Sequence, residues 1–505
     1  MKKIFLRMMK YALIAVVFFA LLILVLWLYP LAEPLTQKSS DHSYIIKGVN
    51  IVDAEADTVL HNQFVYIKGD RIERIASDAF TPDDANMVQV EGTGKYLIPG
   101  LWDMHSHLAF QIAPQVIMPL HIAHGVTNIR DMQGIVNINE ERRQWRQDIL
   151  AEKLLGPRLI GFADEIVGAN YDEQDVVEVV NRTAADPNTF IKIYSGILSE
   201  RYFALAKEAN ARGVVFAGHY PNAINPIDAS NAGQRSFEHA HLFIKHANPL
   251  ADQNREYYRA LYSDEEVDAS DRPSVVAMLE GFDEEQFNEL VDVMVKNETY
   301  FCPTHVTRRY EALAYDQDFL DDPNLQYVPP LVAMIWSDDA SGMHEYAKPD
   351  GMQTYLEDFY TKGLELTGRA HDSGVKVLAG TDSYDPYSFP GISLHQELEE
   401  LVKAGLTPAE ALVSATSEPA VYFGVTADYG RVEAGKVADL LLLSKNPLED
   451  IRNTRTIERL YYNGNQYEKT DLEAMKTYVA DNASGIKGWA LSVKMFLRLM
   501  KDNRH

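Results

Sequence analysis

The sequence contains a single cysteine, Cys302, and that scarcity excludes an internal disulfide and a thiolate metal cluster. Positive charge is also in short supply, with 47 lysines and arginines against 73 aspartates and glutamates and a net charge of −26. What positive charge there is gathers at the ends. Residues 1–10 carry +4 and the stretch from Ser484 onward carries another +4, so the body between them holds −34. An acidic body of this kind repels nucleic acid and anionic lipid, and no nucleic-acid partner is expected. Internal repeats of the solenoid type are missing as well. The remaining proportions, 46% hydrophobic and 24% charged, are those of a globular protein. At 505 residues the chain is too long for one compact core, so two domains, or one barrel with attachments, are expected.

One uncharged run, residues 11–29, is rich in Ala, Leu, Ile, Val and Phe and long enough to cross a bilayer. Lys2, Lys3, Arg7 and Lys10 precede it, and Trp27 and Tyr29 stand at its far end, where an interfacial belt would lie. A cleaved signal peptide is the rival reading. The run is longer than a usual h-region, and Pro30-Leu31-Ala32 makes a poor small-x-small cleavage site. A single-pass membrane anchor is therefore expected, with its N-terminus cytoplasmic and the rest of the chain outside the cytoplasm.

A polar linker (31–42) leads into short alternating runs at 44–51, 63–68 and 71–75, the pattern of small antiparallel strands. From Gly100 the rhythm changes to strand followed by helix. Eight strands are predicted, ending near Met104, Arg130, Phe162, Tyr194, Gly218, Glu238, Pro303 and Thr381. This is the signature of a parallel (β/α)8 TIM barrel, an α/β fold. Two connections, 240–297 and 304–375, are long enough to be lids over the C-terminal face. Beyond Gly424 short strands return at 437–443 and 459–462. The expected division is an anchor (1–30), a linker (31–42), a small β-sandwich domain built from 43–98 and 426–470, a barrel (99–425), and a helical tail (471–505).

Several strand ends carry chemistry. In Leu97-Ile98-Pro99-Gly100-Leu101-Trp102-Asp103-Met104-His105-Ser106-His107 two histidines lie one residue apart, so His105 and His107 point the same way along an extended chain. Two imidazoles so placed can hold a divalent metal. Lys192 sits inside the apolar run Phe190-Ile191-Lys192-Ile193-Tyr194, where an unpaired charge is rarely buried. His219 and His239 end the next two strands, and Asp382 ends the last, after Gly380-Thr381. Singly, each has a plain structural reading: a hydrogen-bonded strand-end histidine, or an aspartate as a helix N-cap. In a barrel, all of them converge at the C-terminal mouth.

These pieces, in this order, resemble the amidohydrolase superfamily, the metal-dependent hydrolases built on a TIM-type barrel. The matching motifs are Pro99-Gly100 through His105-x-His107, the Lys192 strand, His219, Glu238-His239 and Gly380-Thr381-Asp382. Two later stretches also look like the family: the capped helix at Thr407-Pro408-Ala409-Glu410-Ala411-Leu412, and Gly430 through Asp439-Leu440. The likeness runs from about Tyr44 to about Tyr467. It implies two divalent metal ions, with zinc as the expected element. His105, His107 and Asp382 would hold the more buried ion, His219 and His239 the other, and Lys192 would bridge them as a carbamate. A free lysine, with a pKa of about 10.4, is an ammonium without a lone pair, whereas its carbamate offers two oxygens to ions about 3.5–4 Å apart. Asp382 would also be the catalytic proton shuttle.

Tyr194 and His305 are weaker candidates for substrate contacts, and His241 belongs more naturally to a loop. Strand five departs from the family in Gly218-His219-Tyr220-Pro221, which lacks the second histidine of many relatives and leaves the substrate pocket open. The function expected is cleavage of a C–N bond in a small amide, cyclic amide or peptide. Hydrolysis of carboxylic or phosphate esters, and a non-catalytic metal-binding scaffold, stand as alternatives. A mononuclear deaminase would have no use for Lys192. In the tail, Ile486, Trp489, Ala490, Val493, Leu497 and Met500 recur at helical steps, with Lys487, Lys494, Arg498 and Lys501 on another side. That predicts an amphipathic helix, either packed on the body or lying in a membrane interface.

Overall fold

The computed structural model describes residues 2–39, 42–84, 86–108, 112–349 and 351–502. After the first helix, α1 (Lys2–Leu28), the chain makes five strands: β1 (Ser43–Asp53), β2 (Thr58–Lys68), β3 (Arg71–Ala76), β4 (Met87–Glu91) and β5 (Tyr96–Pro99). Seven more alternate with helices: β6 (Leu101–Ser106), β7 (Val126–Asp131), β8 (Arg158–Val167), β9 (Thr189–Ile193), β10 (Phe216–His219), β11 (Ser236–Glu238) and β12 (Tyr300–Cys302). The last three are β13 (Leu440–Leu443), β14 (Ile457–Tyr462) and β15 (Asn465–Glu468).

Strands β6 to β12 pair in simple sequence order, each parallel to its neighbours. Helices cover such a sheet from outside, so its strands are buried on both faces and read as apolar runs. β6, buried at every position, is the clearest case. The eighth ladder predicted to end at Thr381 does not form. Residues 375–382 nevertheless fill the gap. The Phe301 and Leu378 amides donate to the carbonyls of Lys376 and Phe301, at 2.9 and 2.8 Å. On the other side the Met104 amide donates to Ala379 O at 2.9 Å and the Thr381 amide to His105 O at 3.1 Å. Asp382 then turns into the left-handed region (φ +56°), which ends the extended backbone and leaves only isolated bridges. The barrel is thus nearly closed, with seven strands in its ladder. β8 also runs past its predicted end at Phe162, to Val167.

Strands from both flanks of the barrel form one eight-stranded sheet in the order β15-β14-β13-β5-β1-β2-β3, with β4 beside β1. β5 and β6 are consecutive, so the first barrel strand is a direct continuation of this sheet. Arg158 at the start of β8 ties the two parts together through a buried ion pair with Asp439, just before β13. The long connections are largely helical, with Ala251–Tyr262 and Glu284–Lys296 in the first and His305–Leu313, Pro330–Ala347 and Met352–Asp372 in the second. The helix Pro408–Ser414 opens on a capping box between Thr407 and Glu410.

Within α1, Arg7–Leu28 is long and apolar enough to span a membrane, with a mean hydropathy of 3.0 and almost none of it buried. The segment after it is fastened to the body. Ala32 O accepts from Gln115 Nε2 (3.3 Å), Glu33 O from Tyr478 OH (2.7 Å), and Leu35 O from the Leu155 amide (2.7 Å). Gln37 Nε2 donates to Ile149 O and Leu154 O at 2.7 and 2.9 Å. The tail forms two helices, Lys469–Ala483 and Gly485–Asp502. The second is amphipathic, but its seated face coincides with the predicted one only in part. Ala490 of that face is buried and Val493 half-buried, and Gly488, Leu491, Ser492 and Met495 are buried with them, whereas Ile486, Trp489, Phe496 and Leu497 are exposed. The side chains of Met500 and Lys501 lie outside the described residues.

Candidate metal centre

The C-terminal ends of β6, β9, β10 and β11, together with residues 375–382, bring His105, His107, Lys192, His219, His239 and Asp382 to one place. Glycines permit the approach. A Cβ on Gly380 would lie 2.5 Å from Cys302 Sγ and 2.8 Å from His105 Cβ, and one on Gly218 would lie 2.4 Å from Ile193 O. His239 (φ +74°) and Asp382 (φ +56°) both hold left-handed backbones, a cost that clusters at functional positions.

Asp382 is the hub. Its Oδ1 lies 3.0 Å from His105 Nε2 and 3.1 Å from His107 Nε2, and its Oδ2 lies 3.5 Å from His239 Nδ1. His219 and His239 approach each other through their Nε2 atoms at 3.1 Å. Lys192 Nζ is 3.5 Å from His105 Nε2. The ligand atoms of His105, His107 and Asp382 all fall within 4.8 Å of one another. His107 Nε2 and Asp382 Oδ1 are close yet not aligned for a hydrogen bond, and both are buried without one. Lone pairs that converge in this way, away from water, are the arrangement a divalent cation satisfies. The donor set of imidazole and carboxylate fits zinc and its neighbours.

The electrostatics agree with a ligand role. Burial holds His219 and His239 well below the ordinary histidine value, and lowers His107 too. Metal ligation needs the neutral ring. Asp382 is pulled well below the usual carboxylate range, the neighbouring His105 and His239 outweighing the burial that would raise it. Lys192 is lowered by burial against the opposing pull of Asp382 and Glu238, so its amine is easier to deprotonate than an exposed one.

A second layer fixes the rings. Glu238, at the end of β11, accepts from His105 Nδ1 at 2.9 Å and turns Nε2 toward the mouth. Its carboxylate is held by Arg130 Nη2 at 2.8 and 2.9 Å and by Ser236 Oγ at 2.5 Å. Arg130 also donates from Nε to Met104 O and from Nη1 to Tyr422 OH. Asp103 accepts from the His105 and Thr381 amides (3.1 Å each) and from Thr381 Oγ1 (2.6 Å), clamping the first and last strands together. Thr304 Oγ1 lies 2.9 Å from His239 Nδ1.

Tyr194 is half exposed, with its ring centroid 4.7 Å from that of His219. His305 is not brought into the cluster. It is fully buried, with Nε2 3.0 Å from Thr367 Oγ1 on the helix Met352–Asp372. The His241 ring stacks on that of His239, with centroids 5.7 Å apart. Arg130, Asp103 and Thr304 did not stand out in the sequence, although an arginine and an aspartate inside apolar strands carry the same signal that singles out Lys192.

Residues 345–467 match the sequence profile of the amidohydrolase family. A 68-residue stretch is 38% identical to a 5-methylthioadenosine/S-adenosylhomocysteine deaminase of Caldanaerobacter subterraneus, covering 14% of this chain and 15% of that protein. Among solved structures, a bottromycin amidohydrolase superposes with a TM-score of 0.65 at 18% identity, over 88% of this chain and 91% of its own. A Xaa-Pro dipeptidase with bound methionine gives 0.58 at 20% identity, over 84% and 100%. A prolidase complexed with N-methylphosphonate-L-proline gives 0.57 at 18%, over 84% and 99%. These structures share the fold, and the profile match covers the end of the barrel and the strands that return from it.

Proposed function

We propose that the chain is a metal-dependent hydrolase that cleaves the C–N bond of a small amide or peptide. The observation that carries this reading is Lys192, almost wholly buried and within 3.5 Å of His105 Nε2 among four histidines and Asp382. Addition of CO2 to its amine, with loss of a proton, would make it an anion between two cation sites, one that His105, His107 and Asp382 would hold and one that His219 and His239 would hold. Ions held there supply Lewis acidity and an acidic water near neutral pH. The chain's own groups do the rest. Asp382 accepts the proton of the attacking water and returns it to the leaving nitrogen, as a positioned base and then acid. Tyr194, at the rim beside His219, donates to the substrate carbonyl. The peptidase and amidohydrolase neighbours favour a peptide or acylated amino acid as substrate. The short likeness to a deaminase points to a second chemistry, but a mononuclear deaminase leaves Lys192 buried without a task.

The membrane reading is also proposed here: α1 anchors the chain, and the barrel lies outside the cytoplasm. Its support is the apolar helix itself and the basic residues before it.

The test is Lys192→Ala, assayed for bound metal and for turnover on a panel of dipeptides, N-acyl amino acids and esters. Loss of most metal and activity, with partial return on adding short carboxylates, is the expected result. Full metal content with full turnover in the variant rejects the bridging role, and a wild-type protein active only on esters rejects the C–N assignment.

A further inference from the structure

The helix Gly485–Asp502 uses one face to seat itself on the body and leaves a second apolar face uncovered. Gly488, Ala490, Leu491, Ser492 and Met495 make the seated face. Ile486, Trp489, Phe496 and Leu497, between about a third and a half exposed, recur at helical steps and share one stripe, with Val493 between them. A soluble surface helix places polar groups there. A contiguous apolar strip on a helix marks an interaction surface.

Position says what covers it. This helix packs against α1, and Lys494 Nζ donates to Tyr29 O at 2.8 Å, just past the end of the apolar span. The stripe therefore sits at the level where the chain leaves α1. We infer that Ile486, Trp489, Phe496 and Leu497 lie in the lipid interface, so that this helix is a second, in-plane membrane contact beside the anchor. The inference rests on the reading of α1 as membrane-embedded. A tryptophan and a phenylalanine among aliphatic residues suit the headgroup boundary. The basic side contributes less than the sequence suggests, because Lys494 is engaged with Tyr29 O and Arg498 pairs with Glu141 at 2.6 Å. Attachment is apolar in character, and it neither needs anionic lipid nor weakens with salt.

Full-length protein in phosphatidylcholine nanodiscs tests this. A nitroxide is placed at Trp489→Cys, Phe496→Cys or, separately, Val17→Cys, all exposed positions; the buried Cys302 stays unlabelled. The expected result is that labels at 489 and 496 collide with dissolved oxygen and lose access to a water-soluble nickel complex, at low and high salt alike. A label at 17 protected from nickel while those at 489 and 496 remain open to it overturns the inference and leaves the anchor standing. A label at 17 open to nickel rejects the anchor reading and the in-plane helix with it.

Discussion

Glu238 and Asp382 are both buried carboxylates within reach of His105, and their tasks separate on geometry. Asp382 faces the mouth with an oxygen free of hydrogen bonds, whereas Glu238 is fully engaged by Arg130, Ser236 and His105 behind it. Asp382→Asn keeps the volume and removes the base, so turnover should fall by about 10²–10⁴-fold while much less metal is lost; stopped assays beside metal analysis check this. Glu238→Gln should act the other way round. Freeing the His105 ring should weaken metal affinity by about 10–100-fold, and leaving Arg130 buried without its counter-charge should cost about 3–5 kcal/mol of stability. Metal titration and thermal unfolding of the same variant read the two effects separately.

At the scale of elements, the sequence shows where strands end better than how they pair. Apolar runs closing on His105, His219 and Glu238 mark the mouth because parallel strands buried on both faces must be apolar until they emerge. The last barrel segment reads as another such run, yet its partners are met through bridges, since the turn at Asp382 depends on backbone angles that composition does not reveal. The tail fails for a similar reason. Periodicity shows that the helix has faces, but which one seats depends on neighbours distant in sequence, and here Leu491 and Met495 win over Trp489. Arg130 and Asp103 went unread because their partners, Glu238 and Thr381, lie far away along the chain. Gly380 was legible only as part of a motif, and the structure supplies its cause. Gly380→Ala puts a methyl against Cys302 and His105. Overpacking of this kind costs about 1–3 kcal/mol, and because the strand carries Asp382 two residues on, metal content should drop along with the melting temperature.

Across the whole molecule, buried neutral histidines outside the candidate ligand set make stability depend on pH. His395 has its Nδ1 2.9 Å from Thr454 Oγ1 and its Nε2 3.0 Å from His124 O, and burial lowers it to about 3. His121, 3.2 Å from Ser106 Oγ through Nε2, is likewise lowered to about 3 by burial. In the unfolded chain both titrate near the ordinary value of about 6.5. Below that pH the unfolded state binds protons that the folded state refuses, so stability is full above about 6.5 and declines as pH falls toward 3. Each group contributes a slope of about 1.4 kcal/mol per pH unit in that window. Chemical unfolding at pH 7 and pH 5 should show the decline, and His395→Gln should make it shallower; an unchanged slope in the variant assigns the effect elsewhere.

The fastened segment from Ala32 to Gln37 has a mechanical consequence. A barrel on a loose tether tumbles independently of its anchor and presents its mouth in every direction. Here hydrogen bonds along the segment remove that swivel, so any axis imposed on α1 is transmitted to the barrel as a rigid body. With α1 held in a bilayer, rotation is confined to spinning about the bilayer normal, and the opening ringed by His107, His219 and Tyr194 keeps one height and one tilt above the lipid.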